Sequence, residues 1–145
     1  MLSNINLNKL PDGLLDWQEK EIHNLIKQQS GEDEFYRLGA RFLGENDLSI
    51  GSWTNTGVPS NNQPNSFFLS LKKEVHKFFC TDCTEYNTQR NQLGSTLENM
   101  VKVVSSAIAG SLGIAEGVII GTITCIIIVI IKLGKNAWCN SINID

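Results

Sequence analysis

Apolar residues along this chain return at helical rather than strand spacing. Between about Gly13 and Gln29, the positions Leu14, Leu15, Gln18, Ile22, Leu25 and Ile26 fall on one helical face. Asp12 is placed to cap the first turn, and Gly31 to stop the helix. A second, shorter helix is predicted from Asp33 to Leu43, with Phe35, Leu38 and Phe42 on one side and Gly44 at its end. A third runs from Phe67 to about Phe79, capped by Ser66, with Phe68, Leu71, Val75, Phe78 and Phe79 as its apolar face. Between the second and third lies a stretch rich in Asn, Ser, Gly and Pro, which reads as a loop over 45–65 with a short extended piece around Leu48–Trp53. Three such helices hold few large apolar residues and make a marginal core alone. They need a partner: the rest of the chain, a second copy, or another protein docked on the N-terminal helices.

The pattern then changes. Ser95-Thr96-Leu97-Glu98 has the spacing of a capping box, so a helix is expected to start at Thr96. Leu97, Val101, Val104 and Ile108 carry it into residues 103–131, where Glu116 is the one charged residue. Lys132, Gly134 and Lys135 form a basic stop, followed by Trp138, a residue type favoured at membrane interfaces. A continuous helix over those 29 residues would rise about 43 Å, more than the roughly 30 Å of a hydrocarbon layer, and would span it with tilt. The competing expectation uses Leu112–Gly117 as a break. Helices over about 96–112 and 118–133 would then form a hairpin buried in a soluble domain, or sheltered there until a trigger releases it.

The fold expected is therefore all-α: a small N-terminal helical domain followed by a long apolar C-terminal helix, or helical hairpin, with a glycine zipper. Its parts are a two-helix region at 1–44, a loop at 45–65, a helix and connector at 66–94, the apolar zipper segment at 95–135, expected to be transmembrane by composition, and a tail at 136–145. Small residues recur every fourth position at Ser105, Ala109, Gly113, Gly117, Gly121 and Cys125. Absent side chains let helix backbones approach closely where lipid offers no hydrophobic drive to associate. The repeat resembles segments of pore-forming and oligomeric membrane proteins from unrelated families. Glu116 is the residue expected to matter most in a spanning helix, because a carboxylate at membrane depth costs several kcal/mol unless it is protonated, paired or hydrated. A pore-lining, ion-coupled or interhelical role follows. At the turn of a hairpin the same residue would sit in water.

Composition narrows the function further. The 145 residues carry 12 Lys and Arg against 15 Asp and Glu, a net charge of −3. No basic stripe is available to displace phosphate counterions, so nucleic acid is not expected as a partner. Lys72, Lys73 and Lys77 on the third helix could meet anionic headgroups, or simply face water. His76, Cys80 and Cys83 have the spacing of three zinc ligands with Cys139 as a remote fourth, yet a second close ligand pair is missing, and no metal is expected. The isolated Cys-x-x-Cys lacks the βαβ setting of a redox motif. No nucleophile or phosphate-binding motif occurs, and His23 stands among surface residues, so neither an enzyme nor a cofactor is expected. With no recognisable export signal, the four thiols are expected to be reduced.

These features favour a membrane-associated, self-assembling protein that permeabilises membranes, in the manner of holins or toxins. Its partners would be lipid and further copies of itself, and its place the cell membrane with a cytoplasmic N-terminal region. The alternative is a cytoplasmic, soluble helical accessory protein whose apolar hairpin is buried in its own core or in a partner interface.

Overall fold

A computed structural model of the chain describes residues 6, 7, 9–44, 67–81 and 84–141. Seven helices occur among them: α1 (Asp16–Lys27), α2 (Glu32–Phe42), α3 (Phe67–Cys80), α4 (Asn87–Arg90), α5 (Leu97–Leu112), α6 (Glu116–Leu133) and α7 (Lys135–Ser141). A 3₁₀ turn at Thr84–Tyr86 precedes α4, and the described residues contain no strand. The fold is all-α, with one long apolar helix near its C-terminal end. The expected loop at 45–65, its extended piece and the Ser66 cap lie outside the described residues.

The long apolar segment is a hairpin, not one helix. Gly113 takes φ +74°, a left-handed conformation that costs a glycine little, and closes α5. Its amide and that of Ile114 both donate to the Ala109 carbonyl, at 2.9 and 3.0 Å. Ile114 and Ala115 then lead straight into α6. The helix start differs from the capping-box expectation. Thr96 is the cap, its hydroxyl accepting from the Asn99 amide at 3.0 Å, so α5 begins at Leu97. Glu98 is thereby left outside a reciprocal cap, and its carboxylate lies 3.9 Å from Lys9 Nζ.

At the centre sits α6. Every residue from Ile119 to Ile131 is buried, packed chiefly by α2 and α5, with α3 and α7 closing the remaining sides. A run of isoleucines has no polar face to turn to water, so a helix built from it is stable only when surrounded. The approach of α2 is close because Gly39 stands at the crossing. A Cβ there would come within 3.2 Å of Phe68, 3.4 Å of Thr122 and 3.5 Å of Cys125.

The N-terminal helices follow their apolar spacing with shifted ends. The first begins at Asp16, where the Gln18 side chain accepts from the Leu15 amide at 3.0 Å, and Asp12 does not cap it. Gln29, at φ +54°, takes the left-handed position after α1. Gly31 is instead the N-cap of α2, its amide donating to Glu34 at 3.0 Å. The apolar face of α3 is the expected one, with Phe68, Leu71, Val75, Phe78 and Phe79 all buried.

One expectation is overturned outright. Cys80 and Cys139 are joined in a disulfide, so these thiols are not reduced, and Cys139 cannot serve as a fourth zinc ligand. The pair meets because α7 folds back after Gly134, φ +90°, and lies against the end of α3.

Candidate functional site: the sheltered hairpin

Among the described residues, α6 is the helix long and apolar enough to cross a bilayer. Its 18 residues rise about 27 Å at 1.5 Å per residue, close to a hydrocarbon thickness of roughly 30 Å. Here it is a core helix as well, most of its length enclosed by protein. Both polar side chains in its interior are satisfied. Thr122 Oγ1 donates to the Gly39 carbonyl at 2.7 Å, and Thr124 Oγ1 donates back to Ile120 O at 2.7 Å. Near its C-terminal end, Lys132 Nζ donates to Ser30 O at 3.2 Å and stands 5.5 Å from the Phe35 ring, a cation placed where the helix dipole favours one.

The six small residues are divided by the break at Gly113. Ser105 and Ala109 are buried along α5, and Ser105 Oγ has no hydrogen-bond partner. Gly113 and Gly117 stand at the surface with open space where a Cβ would go. Gly121 and Cys125 face inward: a Cβ on Gly121 would come within 2.8 Å of Phe42, and Cys125 lies against Gly39. Within one copy of the chain, then, the inward part of the stripe brings α6 close to α2.

Glu116 opens α6. It is half-buried at the helix N-terminus, where the dipole favours a negative group. Its side lines a cleft of about 480 Å³ shared with Asp12, Glu98, Lys102 and Ile120. This position is the hairpin turn, not the middle of an apolar span. On either side of the turn, Val118 and Leu112 are open to solvent, at 55% and 37% of their surface.

The remaining candidates are scattered. Lys72, Lys73 and Lys77 do not act as one basic face: Lys72 Nζ lies 4.3 Å above the Tyr36 ring, and Lys77 pairs with Glu74 at 3.4 Å. Burial lowers the Lys72 pKa against the opposing pull of Glu32 and Asp33. His76 is half-buried with its ring 6.2 Å from that of Trp138, and burial lowers its pKa. No group of three or more potential metal ligands occurs among the described residues, and Cys83 lies outside them. His23, in α1, is half-buried.

Two functional-looking contacts carry no advance signal in the sequence. Trp138, expected at a membrane interface, is fully buried, and its Nε1 donates to Tyr36 Oη at 2.9 Å. The Cys80–Cys139 bond stands beside it. Four cysteines allow several pairings, and spacing alone does not choose among them. Tyr36 itself is pushed up to about 12 by burial, with the Trp138 hydrogen bond opposing. Compared with known proteins, the chain matches no family model, no curated protein and no solved structure.

Proposed function

We propose that this chain is a membrane-permeabilising, self-assembling helical effector, comparable in action to holins and pore-forming toxins, in a form that keeps its membrane-active hairpin sheltered. The observation that carries the reading is α6: a span-length helix without a charge between Glu116 and Lys132, folded inside a shell of shorter helices. In a bilayer the α5–α6 hairpin is the inserting element. The small residues Ser105, Ala109, Gly113, Gly117, Gly121 and Cys125 would give neighbouring copies close contact, and Glu116 would supply the polar group of the assembly. On this reading the work is done at the membrane of the cell, from the cytoplasmic side, without catalysis or cofactor.

A second reading is favoured by one specific contact. The Thr122–Gly39 hydrogen bond fits α6 to α2 by shape and polarity, as expected of a permanent core helix in a helical accessory protein. Carbonate extraction of membranes from expressing cells, with dye release from vesicles by the purified chain, separates the two. Retention in the membrane pellet together with leakage supports the effector. Quantitative release into the supernatant with intact vesicles refutes it and leaves the accessory protein.

A further inference from the structure

The seven-residue helix α7 carries a fully buried tryptophan and is held to the rest of the fold by two long-range ties. It follows α6 across Gly134 alone, and Gly134 and Trp138 bracket its first turn, the Trp138 amide donating to Gly134 O at 2.9 Å. Seven residues are too few to persist as an isolated helix in water. Trp138 anchors it to α2 through Tyr36, and the Cys80–Cys139 bond anchors it to the end of α3. That bond closes a covalent loop that contains α4, α5 and α6 entire. From Leu133 to Cys139 is six residues, a reach of at most about 21 Å when extended. The C-terminal end of α6 is therefore held near α3 for as long as the bond stands, and the helix cannot be withdrawn lengthwise by its own span.

We propose that the Cys80–Cys139 disulfide is a redox staple on the sheltered hairpin, and that its reduction by a dithiol frees α7 and the end of α6. The inference rests on the membrane reading above and assigns its regulation. Both cysteines are half-buried rather than enclosed. A thiolate of the dithiol attacks one Sγ, the S–S bond breaks, and the other cysteine leaves as thiolate. The second thiol of the reagent then displaces the first cysteine, giving two protein thiols and the cyclic disulfide of the reagent, a transfer of two electrons and two protons. Cys125, the free cysteine among the described residues, is buried against α2 and takes no part.

The full chain is tested oxidised and after dithiothreitol, as the parent and as Cys83→Ser, in which Cys80 cannot exchange its bond onto its near neighbour in the sequence. Hydrogen exchange is followed over Ile119–Trp138, and carboxyfluorescein release is followed from vesicles of phosphatidylcholine and phosphatidylglycerol. Reduction is expected to speed exchange in α7 and the C-terminal half of α6 by about tenfold or more while overall helicity persists. Leakage is expected to rise with it, and Cys139→Ser to behave as the reduced protein without reagent. Unchanged exchange on reduction overturns the staple, and so does collapse of all helicity, which would make the bond a general support. Substantial leakage that is equal from oxidised and reduced protein overturns it while leaving the membrane reading intact. Faster exchange with no leakage from either form supports the staple and refutes the membrane reading.

Discussion

Thr122 offers the sharpest test of how α6 is held. The last four carbonyls of any α-helix lack an intrahelical donor. In α2, Ala40 O takes the Leu43 amide at 3.0 Å and Arg41 O takes the Gly44 amide at 2.9 Å. Gly39 O takes the hydroxyl of Thr122, which is fully buried. Thr122→Val preserves the volume and leaves this carbonyl without that donor in a dry helix crossing. A stranded buried acceptor costs about 1–3 kcal/mol. The new methyl group returns up to about 0.8 kcal/mol of that by burial. A net loss of about 1–2 kcal/mol follows, or roughly 3–8 °C in melting temperature for a chain of this size.

Thr124→Val is the matched control on the same helix. Its hydroxyl bonds to Ile120 O, the carbonyl that already accepts the Thr124 backbone amide in a regular helix. Removing it strands nothing and the same methyl gain applies, so the change should lie between about 0.5 kcal/mol of loss and about 0.8 kcal/mol of gain. Urea titrations followed by circular dichroism read both variants, the midpoint shifting at constant slope if only stability has changed. Equal effects from the two substitutions, or a neutral Thr122→Val, would refute the idea that this hydrogen bond closes the α2–α6 crossing.

Gly110→Ala, at an exposed position inside α5 with open space for the methyl group, should raise stability by about 0.5–1 kcal/mol. Gly121→Ala should lower it by about 1–3 kcal/mol by pressing on Phe42 and Gln18, and paired thermal melts compare the two. Reduction of Cys80–Cys139 opens a loop spanning 59 residues of separation and should cost about 4 kcal/mol, on the order of 10 °C in a melting scan. Burial favours the neutral phenol of Tyr36, so its contribution is complete below pH 10 and is lost as the pH rises from 10 toward 12. Urea midpoints across that interval should fall more steeply for the parent than for Tyr36→Phe, with absorbance at 295 nm reporting the ionisation.

How much of this fold is legible in the chain differs from element to element. The face of α3 is plain because Phe68, Leu71, Val75 and Phe78 repeat at helical spacing and nothing nearby competes. Helix starts are less so: Ser95 and Thr96 carry the same capping chemistry one residue apart, and the backbone at Thr96 decides between them. The break at Gly113 is visible as a possibility, since glycine alone adopts φ +74° without strain, but Gly110, Gly117 and Gly121 offer the same freedom and remain helical. Trp138 and the Cys80–Cys139 pair are set by the reversal at Gly134, a long-range consequence that local spacing does not encode.

The deepest ambiguity lies in α6, because a protein core and a bilayer ask the same thing of a run of isoleucines. Apolar length cannot separate them; the polar residues can. Thr124 satisfies itself within its own helix and would do so equally in lipid. Thr122 and Lys132 are different, since their acceptors, Gly39 O and Ser30 O, belong to the surrounding shell. Each is a contact that α6 surrenders on leaving. Gly39 itself belongs to the same argument, for its missing side chain makes room for Thr122 and Cys125 at the crossing. Fit to the core therefore resides as much in α2 as in α6. Substituting α2 at Gly39 should accordingly loosen the hairpin without altering its hydropathy, and that separates sheltering from the capacity to enter a membrane.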